Sequence, residues 1–169
     1  IEASTLLWAA GVQASPIGRI AGLETDRVGR IPVQADLRVA GYESVFVAGD
    51  LALLNGPRGK PYPGVAQVAI QQGKKVAANV SAMVAGEPLT AFRYQDRGNM
   101  ATVGRNYAIA EIWKLRLTGF PAWLTWIFVH IAYLIGFRNR VFVLFQWAYG
   151  YLTYHRRVRL ITRPGKQID

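Results

Sequence analysis

The 169-residue chain is long enough to bury the core of an ordinary domain, and its 20 Lys and Arg against 10 Asp and Glu give a net charge of +10. It contains no cysteine, which excludes disulfides, cysteine-ligated zinc, iron–sulfur clusters and thiol catalysis within this chain. The first residue is Ile1 and no signal or transit segment is visible, so we expect a piece of a longer or processed protein.

The positive charge is concentrated at the C-terminal end. Residues 1–111 hold 11 basic against 9 acidic residues, whereas residues 112–169 hold 9 basic residues and only Asp169 as an acid. The same stretch contains four of the five tryptophans, and its basic residues flank long apolar runs. A basic region can bind nucleic acid or an anionic membrane, and this arrangement favours the membrane surface.

The first predicted elements are short strands. Residues 5–11 form a buried apolar run that ends in a glycine, and residues 29–33 and 37–39 are strand pieces interrupted by Pro32. Residues 44–50 are β-branched and apolar up to Gly49-Asp50, which predicts a second buried strand.

The middle of the chain predicts one long helix. A loop rich in glycine and proline occupies residues 55–64. Residues 65–85 follow it and are rich in Ala, Gln and Lys, which favour helix, and Gly86 and Pro88 supply the stop signal.

The last part predicts a β-hairpin followed by two apolar helices. Residues 100–103 and 107–110 flank a glycine-containing turn. A helix is predicted from Gly119 to about Gly136, a basic connection over 137–140, and a second helix over 141–155. Crossing a bilayer core of about 30 Å takes about 20 apolar residues, so we expect the pair to lie in the membrane interface.

The Gly49-Asp50 pair is the first candidate for binding chemistry. A glycine at the end of a strand lets the backbone approach a cofactor closely, and an adjacent aspartate can accept a hydrogen bond from a ribityl or ribose hydroxyl. The alternative is a simple turn in which Asp50 caps a helix, and the motif by itself favours this alternative.

The start of the long helix is the second candidate. Gln67 and Gln71 are four residues apart and therefore share a helical face, and small residues such as Ala66, Ala69 and Gly73 leave the backbone accessible. Two amides can hydrogen-bond a carbonyl-bearing ring, and the free N–H groups of a helix start suit an electron-rich edge. The alternative, favoured by spacing alone, is a surface helix with both glutamines in water.

Taken in order, these segments resemble the C-terminal part of type II NADH:quinone oxidoreductases. The order is a strand, Gly49-Asp50, a glycine- and proline-rich loop and a helix that opens Ala66-Gln67 with a second glutamine at Gln71. The similarity extends over nearly the whole chain, through residues 7–11, 29–33, 96–105 and 136–140.

The resemblance implies an α/β fold with three parts: residues 1–90 as the C-terminal part of a Rossmann-like FAD- and NAD-binding domain, 91–118 as a β-hairpin extension, and 119–169 as a membrane-anchoring pair of amphipathic helices. It implies that NADH reduces FAD and that FAD reduces a membrane quinone. The implied contacts are Gly49, Asp50, Ala66 and Gln67 with FAD, Ala10 and Gly11 with NADH, and Gln67 and Gln71 with the quinone.

Two departures from the family pattern shape these expectations. The chain has no G-x-G-x-x-G loop to hold a pyrophosphate; the family places such loops upstream, so we expect this chain alone to be inactive. The family often has a lysine near position 116, where this sequence has Lys114 and Arg116. No catalytic residue and no metal ligand is assigned.

The sequence leaves several alternatives open. One is another FAD-dependent pyridine nucleotide reductase, such as a sulfide:quinone oxidoreductase, although those typically use redox cysteines. Another is a non-catalytic, membrane-associated or nucleic-acid-binding basic module. The helix pair could also be a homodimer interface. We expect a peripheral, monotopic protein on the cytoplasmic face of a bacterial inner membrane or its equivalent, which binds lipid and no nucleic acid.

Overall fold

The computed structural model describes residues 11–113, 115–134 and 136–153, and the chain divides into two compact units, Ile1–Asp96 and Arg97–Asp169. The predicted strand at residues 5–11 therefore lies almost wholly outside the described part, as does Ala10. The C-terminal arginines after Thr153 also lie outside it.

The first unit is built from short strands and one long helix. Its elements are α1 (Ile17–Ile20), β1 (Ile31–Pro32), a 3₁₀ turn at Gly49–Leu51, β2 (Ala52–Leu53) and α2 (Ala66–Val84). Strands β1 and β2 pair in parallel, with Ile31 opposite Ala52 and Pro32 opposite Leu53. The unit is therefore mixed α/β, as expected.

The prediction of a continuous strand over residues 44–50 is wrong. Phe46 makes only an isolated bridge with Arg38, and the Val47 N–H donates to the Leu37 carbonyl at 3.0 Å. Pairing stops there because the backbone leaves the extended conformation at Gly49, where φ is +73°. The prediction that Pro32 interrupts a strand is also wrong, since Pro32 is the last residue of β1.

A small core lies between these short segments. Ile31, Val39 and Val47 are its buried members, and partly buried side chains pack around them: Leu23, Val33, Val45, Leu51 and Ala52. Leu37 is fully buried in a turn at φ +73°, a conformation that ordinary side chains rarely adopt. The Asp36 carboxylate holds this turn by accepting the Arg38 N–H at 3.1 Å and the Arg38 Nε at 2.8 Å.

The helix predicted at residues 65–85 is confirmed as α2, Ala66–Val84. It ends where the Gly86 N–H donates to the Met83 carbonyl, with φ +72° at Gly86. The buried residues of α2 are Val68, Gln72 and Asn79, which lie on one face because their spacings are four and seven. The helix therefore buries a stripe that contains two amides.

Asn79 connects three parts of the first unit. Its Nδ2 donates to the backbone carbonyls of Asp36 and Thr90, both at 3.0 Å, and its Oδ1 accepts the Thr90 N–H at 3.1 Å. Lys75 Nζ donates to the Thr90 hydroxyl at 3.0 Å. The chain that follows the helix and the turn before Leu37 are thus both held on α2 by polar bonds.

The second unit combines an antiparallel sheet with two helices. Strands β3 (Asn99–Thr102), β4 (Ala108–Ile112) and β5 (Leu115–Thr118) form a three-stranded meander, followed by α3 (Gly119–Tyr133) and α4 (Phe137–Leu152). The predicted β-hairpin corresponds to β3 and β4, and β5 adds a third strand that was not predicted.

The second apolar helix begins four residues earlier than predicted. Residues 137–140, expected to be a basic connection, form the first turn of α4. The chain reverses between Leu134, whose backbone is extended, and Gly136, whose φ is +83°, so few connecting residues are needed. Arg140 Nε also donates to the Leu134 carbonyl at 2.8 Å across this reversal. No helix in the described ranges is both long enough and apolar enough to cross a membrane.

The buried core of the second unit is made of small side chains. Ala108, Ala110 and Ala122 are completely buried, with Met100, Leu117 and Trp123 packed against them. Because these alanines have almost no bulk, α3 can lie close to β4. Large apolar side chains elsewhere in the unit stay exposed, including Phe128, Phe142 and Phe145.

Candidate cofactor site at the start of helix α2

Gly49 lies where the chain turns toward α2. Its φ of +73° favours glycine, and a Cβ atom added there would lie 3.3 Å from the Cβ of Ala69. The Gly49 N–H donates to Oε1 of the buried Gln72 at 2.7 Å. Both the conformation and the close approach to α2 therefore require a residue without a side chain at position 49.

Asp50 lies beside the loop that leads into the helix. Its side chain is exposed within the 3₁₀ turn, and its Oδ1 would be 3.4 Å from a Cβ built on Gly64. The glycine thus leaves room for the carboxylate next to Val65, the residue that precedes α2. An exposed carboxylate in this position can accept hydrogen bonds from the hydroxyl groups of a ligand.

The first turn of α2 has no side-chain cap. Val65 precedes the helix with extended backbone, φ −129° and ψ 150°, and its carbonyl accepts the N–H groups of both Val68 and Ala69. The first N–H groups of a helix have no partner within it and carry a partial positive charge. Ala66 is exposed, whereas the side-chain oxygen of Gln67 is buried. The corner formed by Gly49, Asp50 and the start of α2 therefore suits an electron-rich ligand.

Gln71 is held by a partner far along the chain. Its Nε2 donates to the Gln95 carbonyl at 2.9 Å, and its Oε1 accepts the Gln95 N–H at 3.0 Å. Gln67 and Gln71 both lie in α2, four residues apart, so they share a helical face as predicted. In this structure, however, both ends of the Gln71 amide bind the backbone at the end of the first unit.

The structure points to Gln72 as a residue that the sequence analysis passed over. Gln72 is 1% exposed and holds Gly49 in place, although the neighbouring glutamines drew attention by their spacing. The available signal was its distance of four residues from the apolar Val68, which places it on the buried face. Glutamine side chains are mostly exposed, so residue type alone gives no sign of this burial.

An aromatic cluster packs near the end of the first unit. Tyr62 meets Phe92 and Tyr94 edge-on, with ring centroids 5.6 and 5.7 Å apart. Burial, reinforced by the negative charge of Asp96, raises the pKa of the Tyr94 hydroxyl. Tyr94 therefore stays protonated at neutral pH and acts as a neutral group.

The remaining predicted positions are scattered. Gly11 is exposed with φ +74°, while Ala10 and Lys114 lie outside the described residues. Arg116 Nε contacts the Glu111 carboxylate at 2.9 Å on the exposed surface of the sheet. The described ranges contain no group of His, Asp and Glu that could hold a metal ion.

The two helices of the second unit enclose an aromatic cleft of about 580 Å³. Trp126 stacks on Trp147 with centroids 5.4 Å apart and planes 11° from parallel, and Trp123 meets Tyr151 at 5.4 Å. Trp126 also stacks on His130, whose Nδ1 lies 2.7 Å from the Trp126 carbonyl oxygen. Both of these contacts of His130 are made within α3.

Comparison with known proteins relates this chain to pyridine nucleotide oxidoreductases. The pyridine nucleotide-disulphide oxidoreductase family matches residues 1–73. The type II NADH:quinone oxidoreductases Ndh and NdhA of Mycobacterium tuberculosis are 43% and 41% identical to this chain, each over 96% of it and 35% of their own length.

Among solved structures, NDH2 from Plasmodium falciparum in complex with NADH aligns with 56% of this chain and 19% of its own, at a TM-score of 0.47 and 18% identity. The assignment rests on the sequence relatives. The chain spans about a third of the length of the curated relatives it matches, and by sequence it belongs to the type II NADH:quinone oxidoreductases, as a segment of such a protein.

Proposed function

We propose that the full-length protein containing this chain oxidises NADH through FAD and passes the electrons to a membrane quinone. The observation that carries this proposal is the corner where Gly49, Asp50 and the uncapped start of α2 converge. Relatives named type II NADH:quinone oxidoreductases, 43% and 41% identical to it, support the proposal.

The residues at this corner fit FAD. The small, exposed side chain of Ala66 leaves the start of α2 accessible to a bulky group, and Asp50 offers an exposed acceptor for ribityl hydroxyls. When bound, the flavin supplies the redox chemistry. The N–H groups at Ala66 and Gln67 would donate to carbonyl oxygens at the edge of its ring, where the partial positive charge of the helix stabilises added negative charge.

The proposed contacts with NADH are Ala10 and Gly11, and those with the quinone are Gln67 and Gln71. An amide can orient a quinone carbonyl without adding charge. For Gln71 this requires that its amide be released from Gln95, since both of its ends are engaged there. Because the hydrogen bonds between Gln71 and Gln95 are exposed to solvent, the Gln71 amide can exchange Gln95 for a quinone carbonyl.

Asp50→Ala in the full-length protein tests the flavin assignment. We expect a weaker affinity for FAD, because a hydrogen bond to a charged acceptor contributes roughly 1.5–3 kcal/mol. Flavin occupancy after purification and titration of the apoprotein measure the change. Glu43→Ala, which removes another exposed acid of the first unit, is the matched control. Full occupancy and unchanged affinity in the Asp50 variant would leave Asp50 as a turn residue only.

Gln71→Ala tests the quinone assignment. Stopped-flow measurements separate reduction of the flavin by NADH from its reoxidation by quinone, and we expect the second half-reaction to slow. Lys74→Ala, an exposed change on the same helix, serves as the control. A slowed NADH half-reaction with an unchanged quinone half-reaction contradicts the assignment.

We further propose that the protein is peripheral, bound through α3 and α4 to the cytoplasmic face of a bacterial inner membrane or its equivalent. Support comes from the exposed apolar side chains of both helices, the aromatic cluster and the lack of acids between Glu111 and Asp169. A deletion beginning at Phe137 is a cleaner test than one beginning at Gly119, because Ala122 belongs to the core of the sheet.

The deletion variant should fail to float with liposomes, whereas the unmodified protein should float and resist a high-salt wash. Apolar burial contributes roughly 25 cal/mol per Å² and each nearby cation about 1 kcal/mol, so insertion is the larger contribution. If the deletion leaves flotation intact but converts a dimer into a monomer, α4 belongs to a homodimer interface instead.

A further inference from the structure

The tip of the β4–β5 turn presents a tryptophan to solvent. Trp113 is 85% exposed and has a φ of +53°, a conformation in which a bulky side chain is a steric outlier. Asn and Gly are the residues that such tight turns favour. A large aromatic side chain at this position costs stability and gains no burial within the described part of the chain, which suggests a role outside the fold.

Close contacts place the end of α3 next to this turn. Gly98, which directly precedes β3, lies so near the backbone of Glu111 and Ile112 that an added Cβ would be 2.8 Å from the Ile112 Cα. Its neighbour Arg97 donates from Nη1 to the hydroxyl of Tyr133 at 2.8 Å, and Tyr133 is the last residue of α3. The β4–β5 turn and the α3–α4 reversal therefore lie at one end of the second unit.

The opposite end is defined in the same way. Arg105, in the β3–β4 turn, donates to the carbonyl of Tyr151 in the last turn of α4, and its guanidinium lies 4.5 Å from the centre of the Tyr151 ring. Tyr107 is 47% exposed at this end. The second unit thus has two distinguishable ends, each with its own exposed aromatic side chain.

The end that carries Trp113 is apolar and basic. Phe137, at the start of α4, is 81% exposed, and Leu115 is 56% exposed. Arg138 follows Phe137 directly and Arg140 comes two residues later, and Arg116 offsets the charge of Glu111 across the sheet. The described residues after Glu111 include no acid, so this end complements an anionic surface.

We propose that this end, formed by the β4–β5 turn and the α3–α4 reversal, contacts an anionic lipid bilayer in addition to the two helices, with Trp113 as an interfacial anchor. The inference rests on the proposed membrane association and adds a contact outside the two helices. Tryptophan is enriched at the level of lipid headgroups because its ring is apolar and its N–H is polar. Basic side chains nearby add attraction to anionic lipid.

The test uses the full-length protein with its flavin and Trp113→Asn. Asparagine tolerates positive φ, so the turn should fold at least as well, and reduction of the flavin by NADH should be unchanged. Partitioning is measured by sedimentation with vesicles of phosphatidylcholine, with and without phosphatidylglycerol. We expect Trp113→Asn to lower the partition coefficient about tenfold on both vesicles, since it removes one aromatic side chain that would insert into the lipid.

Matched variants make the result specific. Tyr107→Asn removes an exposed aromatic from the opposite end and should leave partitioning unchanged. Arg138→Gln should weaken binding only to vesicles that contain phosphatidylglycerol. If Trp113→Asn partitions like Tyr107→Asn while the unmodified protein binds, the proposed anchor is wrong and membrane association stands on other residues.

Two further outcomes would overturn the proposal differently. If the unmodified protein binds neither vesicle, membrane association fails together with this surface, although the NADH and quinone activities can still be measured with soluble quinones. If Trp113→Asn binds vesicles normally but changes the oligomeric state in analytical ultracentrifugation without lipid, this end is a surface between copies of the protein.

Discussion

The two units of this chain are held together by different means. In the first, buried amides bind backbone groups of distant segments, as Gln72 does with Gly49 and Asn79 with Asp36 and Thr90. In the second, three fully buried alanines let α3 lie against the sheet, while most large apolar side chains remain on the surface. One unit satisfies its polar groups internally, and the other leaves its apolar groups unburied.

This difference matches the two tasks proposed for the units. A cofactor corner needs backbone groups held in fixed positions, and directional hydrogen bonds specify position better than apolar packing does. A surface that enters the edge of a bilayer needs accessible apolar and aromatic side chains, which a close-packed core would hide. We therefore expect the first unit to be destabilised most by the loss of a buried polar side chain, and the second by added bulk at a buried alanine.

The largest effect is expected for Asn79→Leu. The substitution leaves the carbonyls of Asp36 and Thr90 and the Thr90 N–H without their partner, which should destabilise the first unit by roughly 3 kcal/mol. Native-state hydrogen exchange of the α2 amides measures the loss. Ser81→Ala, which removes an exposed bond to the Ala77 carbonyl, should change little. If the α2 amides exchange equally slowly in both variants, buried polar bonds are not what stabilises the first unit.

Ala122→Leu should have the next largest effect, confined to the second unit. The added atoms cannot fit between α3 and β4 at a fully buried position, so we expect destabilisation of about 2 kcal/mol from overpacking. Ala132→Leu is the matched control, because Ala132 is exposed on the same helix. Hydrogen exchange of the β4 amides distinguishes the two variants. If Ala122→Leu exchanges no faster than Ala132→Leu, the alanine core does not set the distance between α3 and the sheet.

A smaller effect is expected for Gln72→Met, which keeps the length of the side chain and removes the acceptor for the Gly49 N–H. Leaving that N–H without its partner costs roughly 1–2 kcal/mol, which corresponds to about a tenfold weaker affinity for the flavin if the turn then moves. Titration of the apoprotein with FAD measures it. Lys74→Met, exposed on the same helix, controls for the change of residue type. An unaltered flavin affinity would show that Gln72 does not position the corner.

The smallest effect concerns pH. Burial raises the pKa of Asp36, but hydrogen bonds from Arg38 and its positive charge outweigh this and hold that pKa below its ordinary value of 3.8. The carboxylate therefore stabilises the fold above that value, and its contribution is lost as the pH falls through the folded-state pKa. Asp36→Asn should lower the denaturant midpoint at pH 7, and the difference from the wild type should shrink as the pH falls below 3.8. A difference in denaturant midpoint that stays the same as the pH falls would contradict this role of the Asp36 carboxylate.

Local sequence signals were enough for several elements. Helix-favouring residues over 65–85 and the stop at Gly86 predicted α2 to within one residue at each end, and the two runs that flank the Gly104 turn predicted β3 and β4. These elements depend on hydrogen bonds between near neighbours, which composition and spacing describe directly. The resemblance to a known family likewise followed from the order of motifs along the chain.

Only the tertiary structure decided which polar groups are buried and what they bind. Gln71 and Gln72 are adjacent and chemically identical, yet one clamps Gln95, 24 residues away, and the other holds Gly49, 23 residues away. Likewise, the approach of Gly98 to Ile112 and the bond from Arg97 to Tyr133 join segments far apart along the chain. Periodicity describes one element at a time, so it cannot specify which distant backbone group meets a side chain. That choice depends on how the elements pack.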